Sequence, residues 1–559
     1  MMFTKTKRGK FSLKGIGIKK PEGVAGSSAF AILVGLFVAF GGVLFGYDTG
    51  TIGGIITMRY WLDTFSTGYI DPKTSQLGIT SSESSLIVSI LSAGTLFGAL
   101  FAAPVADWTG RRIALWIGLC VFAFGVILQT ASVDIPLFVA GRFFAGFGVG
   151  MVSMLVPLYQ SETAPKWIRG AIVGAYQLAI TIGLLLAAVV DNATKDLDNT
   201  GSYRIPIAVQ FAWVLILGTG LIFLPETPRY LIKRGRHDKA AKSLGRLRRL
   251  DINDPHLVGE LQEIESNYVH EQSVAKGSSY LQFLKWNTLG KRLLTGCCLQ
   301  ALQQLTGINF IFYYGTSFFA ASGIKEPFVT SMITSSVNVF STLPGLYLVE
   351  AWGRRRLLIF GALGMFACQM IVGSVGTAFP NGDNIAAQKA LVAFVCIYIF
   401  FFASSWGPVG WIIPGEIFPL PVRAKGISMT TASNWLLNWA IAYSTPYLVN
   451  PGPGNANLQA KIFFVWGGCC LLCAVFVYFL IYETKGLSLE EVDELYESVG
   501  KAWKSTHWVP VEGYGREWRG GENGNGAGNG AGNGTGMGND NGVMARGGAT
   551  SAEHKEEVA

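Results

Sequence analysis

The chain has 559 residues, 50% of them hydrophobic and only 14% charged, with a net charge of +8. Soluble domains carry about 25% charged residues, so this composition excludes an ordinary soluble enzyme and describes a polytopic membrane protein. The surplus positive charge reads as the Lys and Arg excess of loops on one membrane face, and no nucleic-acid partner is expected.

The N-terminal arm, residues 1–28, is basic, with Lys5, Lys7, Arg8, Lys10, Lys14, Lys19 and Lys20. It lacks the short apolar region and small-residue cleavage site of a signal peptide. Twelve apolar segments follow, at 29–52, 85–106, 112–132, 136–158, 170–190, 206–224, 292–318, 329–349, 357–379, 388–413, 427–449 and 460–482. Each approaches or exceeds the roughly 20 residues of helix that cross the hydrocarbon core. Asp48 lies near the end of the first segment and Arg142 early in the fourth. A charge at mid-membrane costs about 2.5–3.5 kcal/mol on insertion scales, and such residues face a cavity or a partner. The two predicted depths match, so an Asp48–Arg142 ion pair is expected.

Residues 225–291 separate two sets of six segments, 29–224 and 292–482. This loop is expected to hold short amphipathic helices. Asp254 with Pro255 reads as a cap followed by proline in the first turn, and Leu257, Leu261, Ile264 and Tyr268 keep helical spacing. Residues 483–559 form a tail, rich in Gly and Asn from about 518 and expected to be disordered there. Basic residues alternate between loops, which predicts that both termini are cytoplasmic. The eight cysteines fall in apolar segments without metal-ligand spacing and read as packing residues, and the five histidines lie in the central loop or tail. No cofactor or metal is expected.

Three signals occur twice, roughly 250 residues apart. Asp107-x-x-Gly110-Arg111-Arg112 matches Glu350-x-x-Gly353-Arg354-Arg355. Glu162 stands seven residues before Arg169, as Glu416 does before Arg423. Glu226-Thr227 matches Glu483-Thr484. A six-helix unit duplicated in parallel orientation follows: an all-α membrane protein of twelve transmembrane helices in two pseudo-symmetric six-helix bundles, the major facilitator fold. These acids and arginines are expected to form an inner gate whose ion pairs hold the halves together. Their simpler use is topogenic charge and helix-end interaction.

The stretches FGYDTGTIGG (45–54), DWTGRR (107–112), AGRFFAGFGVG (140–150), PETPRYL (225–231), QQLTGIN (303–309), EAWGRR (350–355) and YETKG (482–486) resemble the sugar porter family of the major facilitator superfamily, most closely its fungal hexose transporters. The resemblance covers residues 29–500, nearly the whole chain apart from its ends. The departures are Trp108, Ala103 and Tyr482, where the family often has Arg, Gly and Pro.

An uncharged monosaccharide needs neutral groups that both donate and accept, which Asn and Gln amides supply. The membrane segments carry Gln177, Gln303, Gln304, Asn309, Asn338, Asn434 and Asn438, with Trp411 and Trp435 beside them. The resemblance implies that Gln177, Gln303, Gln304, Asn309, Trp411 and Asn438 surround the sugar, with Asn338 a further candidate. Each amide has the alternative of joining helices, worth about 0.6–2 kcal/mol, and Trp435 reads either as a gate or as packing. On an unbroken helix Gln300, Gln303 and Gln304 share a face that Asn309 opposes, so a break near Gly307 is expected. The run Trp406-Gly407-Pro408-Val409-Gly410-Trp411-Ile412-Ile413-Pro414 is expected to be irregular.

By resemblance Asp48 is the proton site of a symporter. Some fungal carriers keep this Asp and act as facilitators, so symport and uniport both stand. The resemblance implies hexose import by alternating access, glucose first, across the plasma membrane by a monomer. A glycine pattern, Gly41-Gly42-x-x-x-Gly46, hints at xylose. A sugar sensor signalling through the tail is the alternative from another class. No nucleophile, base and orienting group gather at membrane depth, so no catalytic residue is expected.

Overall fold

The computed structural model describes residues 25–70, 77–274, 288–379, 384–419, 422–452, 454–487 and 489–509. The basic arm up to residue 24, the end of the central loop (275–287) and the glycine-rich tail lie outside them.

The described chain is helical throughout. The first span is Ala29–Ala39 and Gly41–Ile55, jointed at Phe40. Spans two to five are Ser81–Thr109, Arg111–Ala131, Ile135–Thr163 and Arg169–Thr194. The sixth is Gly201–Ala208 and Gln210–Phe223. In the second half come Thr288–Leu305 with Ile308–Ala321, then Pro327–Trp352, Arg354–Ala378, Ile385–Phe401 continuing to Glu416, Arg423–Val449 and Ile462–Leu480.

Local chemistry sets the ends. The second span starts on a capping box: Thr80 Oγ1 accepts from Glu83 N at 3.2 Å, and Glu83 Oε2 accepts from Thr80 N at 2.9 Å. The fourth is capped by Asp134, which accepts from Leu137 N at 3.0 Å.

Among the described residues, ten spans are long and apolar enough to cross a membrane by themselves. The seventh and eleventh are not among them, because one is divided and the other carries a ladder of polar residues from Ser428 to Asn438. These two helices carry most of the amides singled out above. The bilayer-facing surface is apolar, with Phe223 and Phe340 left 81% and 70% exposed, as expected where lipid is the solvent.

The central loop holds three helices, Pro228–Lys233, His237–Arg248 and Pro255–Val274. Asp254 Oδ1 accepts from His256 N at 2.9 Å, and Leu261, Ile264 and Tyr268 pack on Tyr230, Leu231 and Ile232. After the twelfth span, Leu489–Ser498 and a 3₁₀ turn, Ala502–His507, fold back on the bundle. Trp503 stacks on Tyr478 with ring centroids 6.1 Å apart, and Arg292 pairs with Asp493.

Candidate functional site

The seventh span breaks where periodicity requires. Gly307 takes φ +82°, a left-handed conformation open to glycine, and Asn309 turns back to donate to Gln304 Oε1. Gln304 Oε1 also accepts from Asn438 Nδ2 at 3.2 Å. Asn438 Oδ1 in turn accepts from Tyr313 Oη at 3.0 Å and from Ser92 Oγ at 2.7 Å. The cluster thus reaches from the C-terminal half to the second span. Gln304 Nε2 has no partner among the described residues, so its donors remain for a ligand.

Gln303 and Gln300 are engaged differently. Pro414 has no N–H, so it leaves the carbonyl of Gly410 free, and Gln300 Nε2 donates to it at 2.7 Å. Gln303 Nε2 donates to Trp406 O at 2.8 Å and to Gly407 O at 3.2 Å. Asn434 Nδ2 donates to Gln300 Oε1 at 2.5 Å and to Gln303 Oε1 at 2.9 Å. These amides stitch the seventh, tenth and eleventh spans together. The tenth span corrects an expectation. Its irregular part is a π-turn at Phe402–Trp406, whereas Gly407–Glu416 is regular helix. Pro408, which has no N–H to give, stands at the junction of the π-turn and that helix.

The fifth span supplies Gln177, whose Oε1 accepts from Trp411 Nε1 at 3.1 Å. Tyr176 meets the same indole edge-on at 5.3 Å. Asn338 is 1% exposed, and neither its Oδ1 nor its Nδ2 has a partner among the described residues. Trp435 is fully buried, donates to Ser153 Oγ at 3.1 Å and packs on Phe45, joining the eleventh span to the first and fourth. Gly46 lies against the backbone of Ile180, where a side chain would collide. That glycine serves close helix packing.

Asp48 and Arg142 are 1% and 2% exposed, but the expected ion pair is not formed. Asp48 Oδ1 accepts from Gln210 Nε2 at 3.3 Å, and Oδ2 has no partner among the described residues. Arg142 Nε donates to Ile87 O at 2.7 Å, and Nη2 is unpaired among the described residues. The guanidinium is drawn to the second span and the carboxylate to the sixth. Their charges still act on one another, and Arg142 also lies within electrostatic range of Tyr313, as low-dielectric surroundings permit.

At the other end the main bonds of the repeat recur in both halves. Arg111 pairs with Glu162 at 3.0 Å and Asp107 at 3.4 Å, while Arg354 pairs with Glu416 at 2.8 Å and Glu350 at 3.2 Å. Thr227 Oγ1 donates to Glu162 at 2.5 Å and Thr484 Oγ1 to Glu416 at 2.7 Å. Glu226 accepts from the backbone N–H groups of Arg111 and Arg112, and Glu483 from those of Arg354 and Arg355. Arg112 caps Leu224 O, and Arg355 caps Ile481 O. Burial pushes the Glu226 carboxyl up, opposed by the N–H of Thr227 and the charge of Arg111. The gate expectation needs correcting: the ion pairs of Arg111 and of Arg354 close within their own halves, because each arginine is caged by acids of its own repeat. The halves meet where Gly170, beside Arg169, packs on Glu350 and Arg354. Arg423 Nε donates to Phe418 O at 2.9 Å. At the opposite end Ser85 Oγ donates to Tyr443 O at 2.8 Å and Asn455 Nδ2 to Ser81 Oγ at 3.1 Å, so the halves touch at both ends.

Gln210, Tyr313, Ser92 and Ser153 were not singled out from sequence. Gln210 carries the signal used for the other amides, a polar side chain in an apolar segment. The hydroxyls carry none, since a serine at helical spacing is ordinary.

A buried amide cluster between two copies of one six-helix unit defines a membrane transporter, not an enzyme. Residues 34–496 match the family described as Sugar (and other) transporter, and the chain belongs to that family. It is 60% identical to the major facilitator-type transporter ecdD of Aspergillus rugulosus, covering 89% of this chain and 93% of the relative. It is 54% identical to the probable glucose transporter rco-3 of Neurospora crassa, covering 89% and 84%. Its fold is similar to the E. coli proton:xylose symporter XylE bound to 6-bromo-6-deoxy-D-glucose, with TM-score 0.73 and 26% identity over 84% of this chain and 99% of that one.

Proposed function

We propose that this protein imports a hexose, glucose first, across the plasma membrane by alternating access coupled to protons, with both termini cytoplasmic. The observation that carries this is the Gln304–Asn309–Asn438 cluster at the break of the seventh span, tied through Ser92 to the opposite half. A sugar that replaces these internal bonds pulls the short helix Ile308–Ala321 against the N-terminal half, so binding and closure are one event. Gln177, Trp411 and the unpartnered Asn338 complete a set of neutral donors and acceptors. The relative described as a probable glucose transporter supports the hexose, and the proton:xylose symporter supports the coupling.

Coupling runs through Arg142. Arg142 lies within electrostatic range of both Asp48 and Tyr313, and Tyr313 donates to Asn438 within the sugar cluster. Protonating Asp48 removes the negative charge that Arg142 feels and frees the guanidinium to act on the seventh span. The charged ends, including Arg169, Arg423 and the two acid-caged arginines, set how tightly the inner side closes. A second reading, facilitated uniport, is favoured by the hold of Gln210 on Asp48 without an ion pair.

Labelled-glucose uptake in cells lacking their own hexose carriers, with medium pH recorded, separates the readings. The parent is expected to accumulate glucose uphill and alkalinise the medium. Asp48→Asn is expected to keep counterflow and lose accumulation. Uphill accumulation by Asp48→Asn equal to the parent's would defeat the proton role.

A further inference from the structure

The N-terminal half buries a second acid that the reading above does not use. Asp191 stands one turn from the end of the fifth span, is 2% exposed, and its Oδ1 has no partner among the described residues. Its carboxylate lies flat against Gly54, where a Cβ would meet Oδ2 and Cγ. Gly54 is the penultimate residue of the first span, six residues beyond Asp48. At 1.5 Å per residue that is about 9 Å nearer the end of the bundle remote from the paired arginines.

Around these two acids several buried polar atoms have no partner among the described residues, among them Tyr47 Oη, Gln210 Oε1, Asp48 Oδ2 and Asp191 Oδ1 itself. Tyr47 is fully buried, within electrostatic range of Asp191, and its ring meets Trp213 edge-on at 5.8 Å. Gln210 holds Asp48. Unpaired polar atoms are scarce in protein interiors because each is costly, and here several gather on the first, fifth and sixth spans.

The charged and titratable groups on the packed elements leave Asp191 alone. On the first span these are Tyr47 and Asp48. On the sixth, Arg204 donates to Ser132 O at 3.5 Å and lies over the Tyr203 ring. On its own helix, Lys195 sits over the Phe328 ring at 5.2 Å. None forms an ion pair with Asp191 among the described residues.

We infer that Asp191 is the carboxylate that takes up the proton from the outer aqueous side and passes it inward past Tyr47 to Asp48. One proton leaves bulk water, neutralises Asp191, and moves on to neutralise Asp48. Asp191 returns to its anionic form, and Tyr47 is neutral before and after. The inference rests on the symport reading and deepens it. It makes Asp191 a rate-setting group for proton arrival, not for sugar recognition.

The test compares parent, Asp191→Asn and Tyr47→Phe in the same cells, normalised to surface protein, by gradient-driven glucose uptake at several external pH values and by glucose counterflow at equal pH. In Asp191→Asn, gradient-driven uptake from neutral medium is expected to fall about tenfold, less than the full 10²–10⁴ of a positioned proton-transfer group because helix movement shares the rate. Uptake is expected to recover in acid medium, and counterflow to change by less than about twofold. Tyr47→Phe, which keeps the ring packing, is expected to show the same pattern more weakly, and it carries the test if the Asn variant fails to reach the membrane. A variant pH profile identical to the parent's overturns the inference and leaves symport standing. Counterflow lost in parallel with uptake also overturns it, as a structural effect. A parent that moves no protons removes the symport reading and this inference together.

Discussion

Trp411 Nε1 donates to Gln177 Oε1 at 3.1 Å, joining the tenth span to the fifth and one half of the molecule to the other. Neither group has a second polar partner in the site, so a sugar hydroxyl can take either. A neutral hydrogen bond is worth about 1 kcal/mol net, which is roughly fivefold in affinity. Trp411→Phe and Gln177→Ala are each expected to raise the KM for glucose by about that factor. Phe keeps the ring face, so its maximal rate should stay near the parent's. Concentration-dependent uptake checks both.

Gly307 makes the break in the seventh span. An alanine there pays about 1–2 kcal/mol for the left-handed backbone, and its Cβ meets Trp466 Cγ at 2.5 Å. Gly307→Ala is expected to move Asn309 away from Gln304 and cut maximal uptake about tenfold, with surface expression kept. Uptake per transporter at the cell surface measures it.

Gly170 is where the charged ends of the two halves meet, against Glu350 and Arg354. A leucine there acts as a wedge. Overpacking costs about 1–3 kcal/mol, which lowers the population closed at this end by roughly 5- to 150-fold. Gly170→Leu is expected to lose uptake and to leave a cysteine placed beside Glu350 open to thiol reagents from the cytoplasmic side. Labelling of inside-out vesicles reads this directly.

Asn338 buries two unpartnered polar atoms. Each unsatisfied group costs about 1–3 kcal/mol, so the empty transporter is less stable for having it. Asn338→Leu is expected to raise the melting temperature in detergent while weakening glucose binding. Thermal unfolding with and without glucose checks both directions, since stabilisation by ligand should shrink in the variant.

Much of this was legible in residues. The opposition of Gln303 and Gln304 to Asn309 on one helical wheel required a break, and Gly307 was the residue able to make it. The repeat from Asp107 to Glu226 and from Glu350 to Glu483 announced two equivalent cages, and the same bonds recur in both. Irregularity in the tenth span was placed a turn too late. Proline marks which donors are missing, but where the backbone absorbs the change depends on the helices around it. Here Gln300 takes up the carbonyl that Pro414 leaves free at Gly410, Gln303 bonds the carbonyls of Trp406 and Gly407, and the π-turn forms earlier, at Phe402–Trp406.

The sequence by itself determined the membrane class, the duplicated helical unit and the residue types a neutral sugar needs, because hydropathy, spacing and side-chain chemistry are local properties of the chain. Only the tertiary structure decided who meets whom. Asp48 rests on Gln210 instead of Arg142, Arg111 and Arg354 close on acids of their own halves, and Asn438 reaches Ser92 across the bundle. Those choices depend on rotamers and on how deeply one helix sits against another, and residues far apart in sequence settle them together through packing.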